Sequence, residues 1–138
     1  MDGIAVFFSY SMKTYLYQHT VPFQDTDMAG VVHYSKILGY VELAEHVFLL
    51  DLGIPPISKN GGFPKVHVEC DYLRPLRFGD EITIQITLAK SSTRSLHWGF
   101  EISVNDDISA KGKLVTAHVN AQGKATEIPA EWQRLLSE

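Results

Sequence analysis

One cysteine, Cys70, is all that this 138-residue chain carries. An internal disulfide framework and a Cys-x-x-Cys site are therefore both excluded. Positive charge is not in excess either. Twelve Lys and Arg stand against sixteen Asp and Glu, a net charge of −4, which argues against a nucleic-acid binder with its basic footprint. No apolar run approaches the length needed to span a bilayer. Ile4 to Phe8 is apolar but short, and it follows Asp2 rather than basic residues, so it makes a poor signal peptide. The expected location is the cytoplasm, with no membrane partner. Internal repeats, low-complexity tracts and linkers are missing. So are Gly-x-Ser-x-Gly, a P-loop, a dinucleotide glycine motif and His-Glu-x-x-His.

What is present is an ordinary globular composition, 45% hydrophobic and 20% charged, in a length that suits one domain with a real core. Tyr15, Tyr17, His19, Val21 and Phe23 alternate, with Lys13 leading in, and predict a strand. Tyr34 to Leu52 reads as a helix. Ile37, Val41, Ala44 and Phe48 share one face, and Leu38, Tyr40, Leu43, Val47, Leu49 and Leu50 widen it. Ser35, Glu42 and His46 leave only a thin polar stripe, so the helix is expected to be wrapped on most sides. Gly53 and Pro55 end it.

Residues 54–62 form a Pro- and Gly-containing loop. Strand patterns follow through Val66, Val68, Cys70 and Tyr72, then Ile82 to Leu88, then Leu96 to Val104. In the last strand the apolar phase through Ile108, Ala110 and Leu114 shifts to Val115, Ala117 and Val119, which suggests a bulge. Pro129 suits the first residue of a short terminal helix through Leu136. Strand, helix, four strands and a short helix imply an α+β fold, with an antiparallel sheet covering one long helix.

The chemistry concentrates in residues 23–34, Phe-Gln-Asp-Thr-Asp-Met-Ala-Gly-Val-Val-His-Tyr. Asp25 and Asp27 sit in a Gly-containing loop just before the helix. A carboxylate there lies beside unpaired backbone N–H groups at the positive end of the helix dipole. A base next to oxyanion donors is what hydrolysis of an activated carbonyl requires. The plainer reading is an Asp that caps a turn or a helix start. Gly30 permits a backbone turn or a close substrate approach. Asp25, two residues earlier, is expected to fix the loop by bonding to backbone.

This stretch resembles the Asp-x-Asp-x-x-Gly-x-Val signature of hotdog-fold acyl-CoA thioesterases of the 4-hydroxybenzoyl-CoA thioesterase type. Residues 19–55 are similar to that family's first strand, active-site loop and central helix. The branch that hydrolyses 1,4-dihydroxy-2-naphthoyl-CoA in phylloquinone synthesis is the most similar. The family-like sequence begins near Met12, which leaves residues 1–11 as an extension and 12–138 as a single hotdog domain.

The resemblance implies a thioesterase without metal or cofactor, acting on an acyl-CoA. It makes Asp27 the catalytic carboxylate, as general base or as nucleophile, and Tyr34 the residue whose backbone N–H polarises the thioester carbonyl. Gly30 and His33 become substrate-binding positions, although the order His33-Tyr34 departs from the family's pattern and His33 is equally a simple loop histidine. The resemblance also implies a homo-oligomer, a dimer of dimers, with composite sites.

Basic residues should meet the phosphates of CoA. Lys90 and Arg94, flanking a Ser-Ser-Thr turn, are the candidates, with Arg74, Arg77, Lys111 and Lys113 as rivals. Glu42 is read as a carboxylate hydrogen-bonded within or between subunits. His67, Glu69 and Asp71 share a strand face at metal-ligand spacing, but a polar sheet face or subunit contact is the better reading. Cys70 reads as a buried small hydrophobe between two acids that would raise its pKa. A short-chain or fatty acyl-CoA thioesterase, and a noncatalytic acyl-binding protein, remain the alternatives.

Overall fold

The computed structural model describes the backbone from residue 8 onward and side chains from residue 13 onward. Of the eleven residues set apart by the sequence, 1–7 lie outside the described residues, while Phe8 already opens the first strand.

The seven elements read from the sequence appear in the expected order, with two short strands added inside the 54–62 loop: β1 (Phe8–Thr20), α1 (Tyr34–Leu52), β2 (Ile57–Ser58), β3 (Gly61–Gly62), β4 (Lys65–Tyr72), β5 (Glu81–Ser92), β6 (Ser95–Val104), β7 (Asp107–Ala117) and α2 (Ala130–Ser137). A single 3-10 turn, Phe23–Asp25, lies between β1 and α1. The main sheet has the order β1-β5-β6-β7-β4, with every pairing antiparallel. β2 and β3 make a separate small hairpin. Asn105 and Asp106, both at positive φ, form the two-residue turn between β6 and β7. No helix among the described residues is long and apolar enough to cross a membrane.

One face of the sheet carries Ile82, Ile84, Ile86 and Leu88 of β5 with Leu96, Trp98, Phe100 and Ile102 of β6, all buried. α1 lies on that face. Its Ile37, Tyr40, Val41, Ala44, Phe48 and Leu49 are buried. Phe48 stacks on Tyr15 at 5.2 Å and meets Trp98 edge-on at 5.9 Å. Each such side chain contributes about 1.5–3 kcal/mol by leaving water. The helix begins and ends as predicted. Gly53 closes it at φ 92, its N–H donating to the carbonyls of Leu49 and Leu50.

Four expectations are corrected. β1 stops at Thr20 rather than continuing to Phe23, because Pro22 has no N–H for a ladder, and Phe23 is 72% exposed in the 3-10 turn. α1 is not wrapped on most sides of one chain, since Leu43 and Leu50 stay exposed. β7 keeps one buried phase, through Ala110, Leu114, Thr116 and on to His118. The extra residue in β7 falls between Ile108 and Ala110, opposite Ile102/Ser103 of β6, while the irregularity opposite Val115/Thr116 is carried by β4, between Lys65 and His67. Polar side chains occupy these inward positions because they find partners. Trp98 Nε1 donates to Thr116 Oγ1 at 3.2 Å, and His118 Nδ1 pairs with Thr126 Oγ1 at 3.0 Å. α2 also begins one residue later than predicted, with Pro129 as its cap.

The hairpin of β2 and β3 is bolted to the end of β7. Gly62 and Val119 exchange two backbone bonds of 3.1 and 3.0 Å. Gly61, at φ 110, lies so close that a Cβ would fall 1.8 Å from the Val119 carbonyl oxygen. That anchorage delivers the chain to β4, where Lys65 reaches Glu45 at 2.7 Å and Glu42 at 2.8 Å on α1. Glu45 is fully buried, and its Oε2 has no partner among the described residues. Burial pushes the Glu45 carboxyl up against the pull of Lys65, whereas the Lys65 bond holds Glu42 below the usual carboxylate range. Burial alone would make Lys65 easier to deprotonate, but the two carboxylates outweigh it and hold the ammonium charged.

Removing the only cation of this triad should therefore be costly. Lys65→Met is expected to destabilise the fold by about 3–5 kcal/mol, the typical cost of stranding a buried charge. Adding Glu45→Leu should recover most of that loss. Urea unfolding of the two variants checks both signs, and equal midpoints would rule out the ion pair as the cause.

Candidate active site

The segment between β1 and α1 is a tight, internally bonded loop. Pro22 breaks the strand, and the 3-10 turn ends at Thr26, whose hydroxyl and N–H both donate to the Phe23 carbonyl at 2.7 and 3.0 Å. Asp27 N–H donates to Val31 O, and Gly30 N–H to Asp27 O, each at 2.9 Å. Gly30 makes this reversal at φ 79, the left-handed region that glycine enters at no steric cost. The loop is tied to the β4–β5 connection by a bridge between Val31 and Arg77 and by Val32 N–H to Leu76 O at 2.8 Å.

Asp27 divides its carboxylate between two tasks. Oδ1 accepts from Ala29 N–H at 2.8 Å and from Val31 N–H at 3.3 Å. Oδ2 makes no hydrogen bond among the described residues, and the side chain is exposed. The turn-capping role and an oxygen without a hydrogen bond among the described residues thus coexist in one residue. Asp25 behaves differently from expectation. Its carboxylate bonds the helix rather than the loop backbone, with Tyr40 Oη donating to Oδ2 at 2.6 Å. Burial, reinforced by Asp25, raises the pKa of the Tyr40 phenol well above the ordinary tyrosine value.

His33 caps α1. Its Nδ1 accepts from Ser35 N–H at 3.3 Å and pairs with Ser35 Oγ at 2.7 Å. The neutral ring therefore carries its proton on Nε2. Tyr34 follows as the first helical residue, and its N–H has no acceptor among the described residues. Its ring is 64% exposed and meets His33 at 4.5 Å and Tyr72 of β4 at 6.2 Å. The structure thus brings Asp27, Gly30, His33 and Tyr34 together at the start of α1. An exposed carboxylate in the loop and an open backbone donor at the helix start lie seven residues apart in the chain, and these are the two kinds of group that attack on a carbonyl carbon uses.

Lys90 and Arg94 are not part of this cluster within one chain. β1 and β5 pair Thr20 with Glu81 at the loop end and Phe8 with Ser92 at the other. The length of β5, at about 3.3 Å per residue, puts the Lys90–Arg94 turn roughly 30 Å from the loop. Arg77, bridged to Val31, lies beside the loop in the fold, and Lys36 of α1 lines a recess with Gln24 and Asp25. Lys111 and Lys113 lie opposite Asp71 and Glu69, and Arg74 lies 4.0 Å from Asp107.

The remaining candidates take plain roles. His67 Nε2 bonds Glu69 Oε2 at 2.9 Å, which lowers the pKa of Glu69, and no cluster suited to a metal ion exists among the described residues. Cys70 is half-buried rather than fully buried. Burial raises the pKa of its thiol, with Asp71 adding to the shift against a bond with Tyr72.

Sequence reasoning missed the Tyr40–Asp25 bond and the place of Arg77. A signal for the first existed. Tyr40 and Glu45 are the only polar-tipped residues among the buried positions of α1, and a buried phenol needs a partner.

Residues 21–136 match the family model of the thioesterase-like superfamily. The chain belongs to that superfamily. Its sheet, long helix and short C-terminal helix form the hotdog thioesterase fold. A 1,4-dihydroxy-2-naphthoyl-CoA hydrolase of Nostoc punctiforme is 33% identical over 110 residues, covering 77% of this chain and 73% of its own. Another protein of that name, from Synechococcus elongatus, is 36% identical over 116 residues, covering 80% and 85%. Among solved structures, a gentisyl-coenzyme A thioesterase superposes with a TM-score of 0.79 at 29% identity, over 84% of this chain and 97% of its own.

The left-handed turn at Gly30 offers a direct check. A Cβ at Gly30 would meet nothing within 4 Å, so Gly30→Ala adds backbone strain without a clash. The expected loss is about 1 kcal/mol, with Gly30→Asn costing less because Asn tolerates the left-handed region. Thermal unfolding of both variants tests this, and an unshifted Gly30→Ala protein would contradict the geometry.

Proposed function

We propose that this chain is a cytoplasmic acyl-CoA thioesterase that hydrolyses 1,4-dihydroxy-2-naphthoyl-CoA to the free acid and CoA, with Asp27 as its catalytic carboxylate. The observation that carries the reading is that Asp27 Oδ2 has no hydrogen bond among the described residues in the loop that leads into α1, where Tyr34 N–H is also open. The substrate choice rests on the two hydrolases named above. The likeness to a gentisyl-coenzyme A thioesterase supports an aromatic acyl group more generally.

In this reading the thioester carbonyl oxygen docks on Tyr34 N–H. Water attacks the carbonyl carbon and yields its proton to Asp27 Oδ2. The tetrahedral intermediate then expels the CoA thiolate, which takes a proton to leave as the thiol. The same oxygen could attack directly and form a mixed anhydride that water opens. Either way the leaving group needs little help, since thiols ionise near pH 8.5 in free cysteine. Gly30 keeps the approach open, and His33 Nε2–H is available to orient the substrate. Arg77 is the nearby partner for CoA phosphates in the same chain, while Lys90 and Arg94 reach the site only from another copy.

A homo-oligomer with composite sites fits the surface. Val68 and Tyr72 on edge strand β4, and Leu43 and Leu50 on α1, are exposed apolar groups that a second copy would cover. Tyr34 and Tyr72, in contact with each other, join this surface to the site. A dimer of dimers is the assembly proposed.

Asp27→Asn keeps an acceptor for Ala29 and Val31 but loses the anionic oxygen. It should lower turnover at least 100-fold, in line with typical acid–base contributions, while leaving folding and ligand binding nearly intact. Thiol release measures the first, and thermal unfolding with substrate-analogue binding measures the rest. Near-wild-type hydrolysis by the folded variant would remove Asp27 from the mechanism. Across aromatic, short-chain and long-chain acyl-CoAs, the highest kcat/KM is expected for 1,4-dihydroxy-2-naphthoyl-CoA. A short-chain or fatty optimum would reassign the substrate, and no thiol release from any would favour an acyl-binding protein. Light scattering at assay concentration should show an oligomer. A fully active monomer would defeat the composite site, and a stable active dimer would defeat only the tetramer.

A further inference from the structure

Tyr40 contributes nothing to the reacting atoms, yet it is the side chain that joins the helix to the loop. It lies on the buried face of α1, 3% exposed, with its ring 5.1 Å from that of His19 on β1. Its hydroxyl donates to Asp25 Oδ2 at 2.6 Å, a short bond to a carboxylate in partly buried surroundings. Such charge-assisted bonds are about twice as strong as neutral ones. A shallow recess lined by His19, Gln24, Lys36 and Leu43 opens onto this pair.

The consequence lies in what the two ends are attached to. Tyr40 and Tyr34 ride on the same helix, so the phenol and the open N–H move as one rigid piece. Asp25 is two residues from Asp27 in a loop whose backbone is cross-bonded. Its own carbonyl also receives His33 N–H at 3.4 Å, a long contact that holds little by itself. Beside the chain itself, which runs from Val31 into Tyr34, the Tyr40–Asp25 bond is thus the shorter of the two hydrogen bonds by which Asp25 holds the loop to the helix and its cap.

We propose that Tyr40 is a positioning residue: through Asp25 it fixes the separation of the Asp27 carboxylate from the Tyr34 N–H. This inference rests on the thioesterase reading given above. Small misplacements of reacting groups cost rate far more than binding.

The test uses the full-length protein and 1,4-dihydroxy-2-naphthoyl-CoA. Tyr40→Phe keeps the ring and its packing and deletes only the hydroxyl. Its kcat should fall about tenfold or more while KM changes less than twofold. Asp25→Asn, whose amide oxygen still accepts from Tyr40, should retain more activity than Asp25→Ala. Tyr40→Phe added to Asp25→Ala should lower kcat no further. A readout free of chemistry accompanies these. Hydrogen exchange at the Ala29 and Val31 amides, which bond Asp27, should quicken in Tyr40→Phe at unchanged global stability.

An unchanged kcat for Tyr40→Phe, or additive losses in the double variant, would overturn the positioning role. A variant that only lowers the unfolding temperature, with kcat and loop exchange intact, would do the same and mark Tyr40 as ordinary core. If the wild-type protein releases no thiol, the thioesterase reading fails. The exchange measurement then decides whether the tie itself holds the loop.

Discussion

The contact between α1 and the inner face of β5 and β6 governs everything else in this protein. Phe48 lodges between Tyr15 and Trp98, and Val41, Ala44 and Leu49 have no solvent exposure at all. Burial of that stripe sets where the helix lies along its axis, and the axis sets where its first turn points. In the proposed mechanism the Tyr34 N–H is placed only because the far turns of the helix are held. The loop before it inherits its position from the same packing, through Val32 on Leu76 and Tyr40 on Asp25. The site is thus an end effect of a hydrophobic contact made two and more turns away.

Polar groups then refine what apolar burial positions. Three buried or half-buried polar side chains, Tyr40, Glu45 and Thr116, each find one partner on a different element. None adds much net stability, since a hydrogen bond largely replaces one with water. Their contribution is discrimination. A helix rotated by one residue would leave Tyr40 and Glu45 unsatisfied, at a cost of roughly 1–3 kcal/mol apiece, and the Thr116–Trp98 bond fixes β7 against β6 in the same way. Glu45 remains the least satisfied, with one cation shared between two carboxylates and one oxygen unpaired among the described residues.

Much of this was legible in the sequence where one periodicity dominated. α1 was readable to its ends because Gly53 and Pro55 stop it and its apolar face runs unbroken. The strands β5 and β6 alternate cleanly and sit where expected. Legibility failed where a polar residue holds an inward position. Thr116 and His118 made β7 look out of phase, though both are buried and bonded. It failed also where the deciding fact was the length of a strand. Lys90 and Arg94 look plausible beside a turn, but antiparallel pairing carries that turn to the opposite end of the sheet. The motif around Asp27 was visible as residues. The unequal hydrogen bonding of its two carboxylate oxygens was not, because it depends on a backbone reversal at Gly30. Asp25 was assigned to its own loop on local grounds, whereas its partner lies fifteen residues away on the helix.

The glycine at position 61 carries a consequence for how this sequence tolerates change. A Cβ there would lie 1.8 Å from the Val119 carbonyl oxygen, and the contact is with main chain, which no rotamer can relieve. The tip of the same hairpin, Lys59 and Asn60, is exposed. Saturation mutagenesis across this segment would therefore show an abrupt boundary, permissive through residue 60 and closed at 61. That boundary separates a stretch free to drift from the hinge that sets where β4 begins. Substitution at one backbone contact would be felt as a displaced Lys65 and an orphaned Glu45, two elements away from the change.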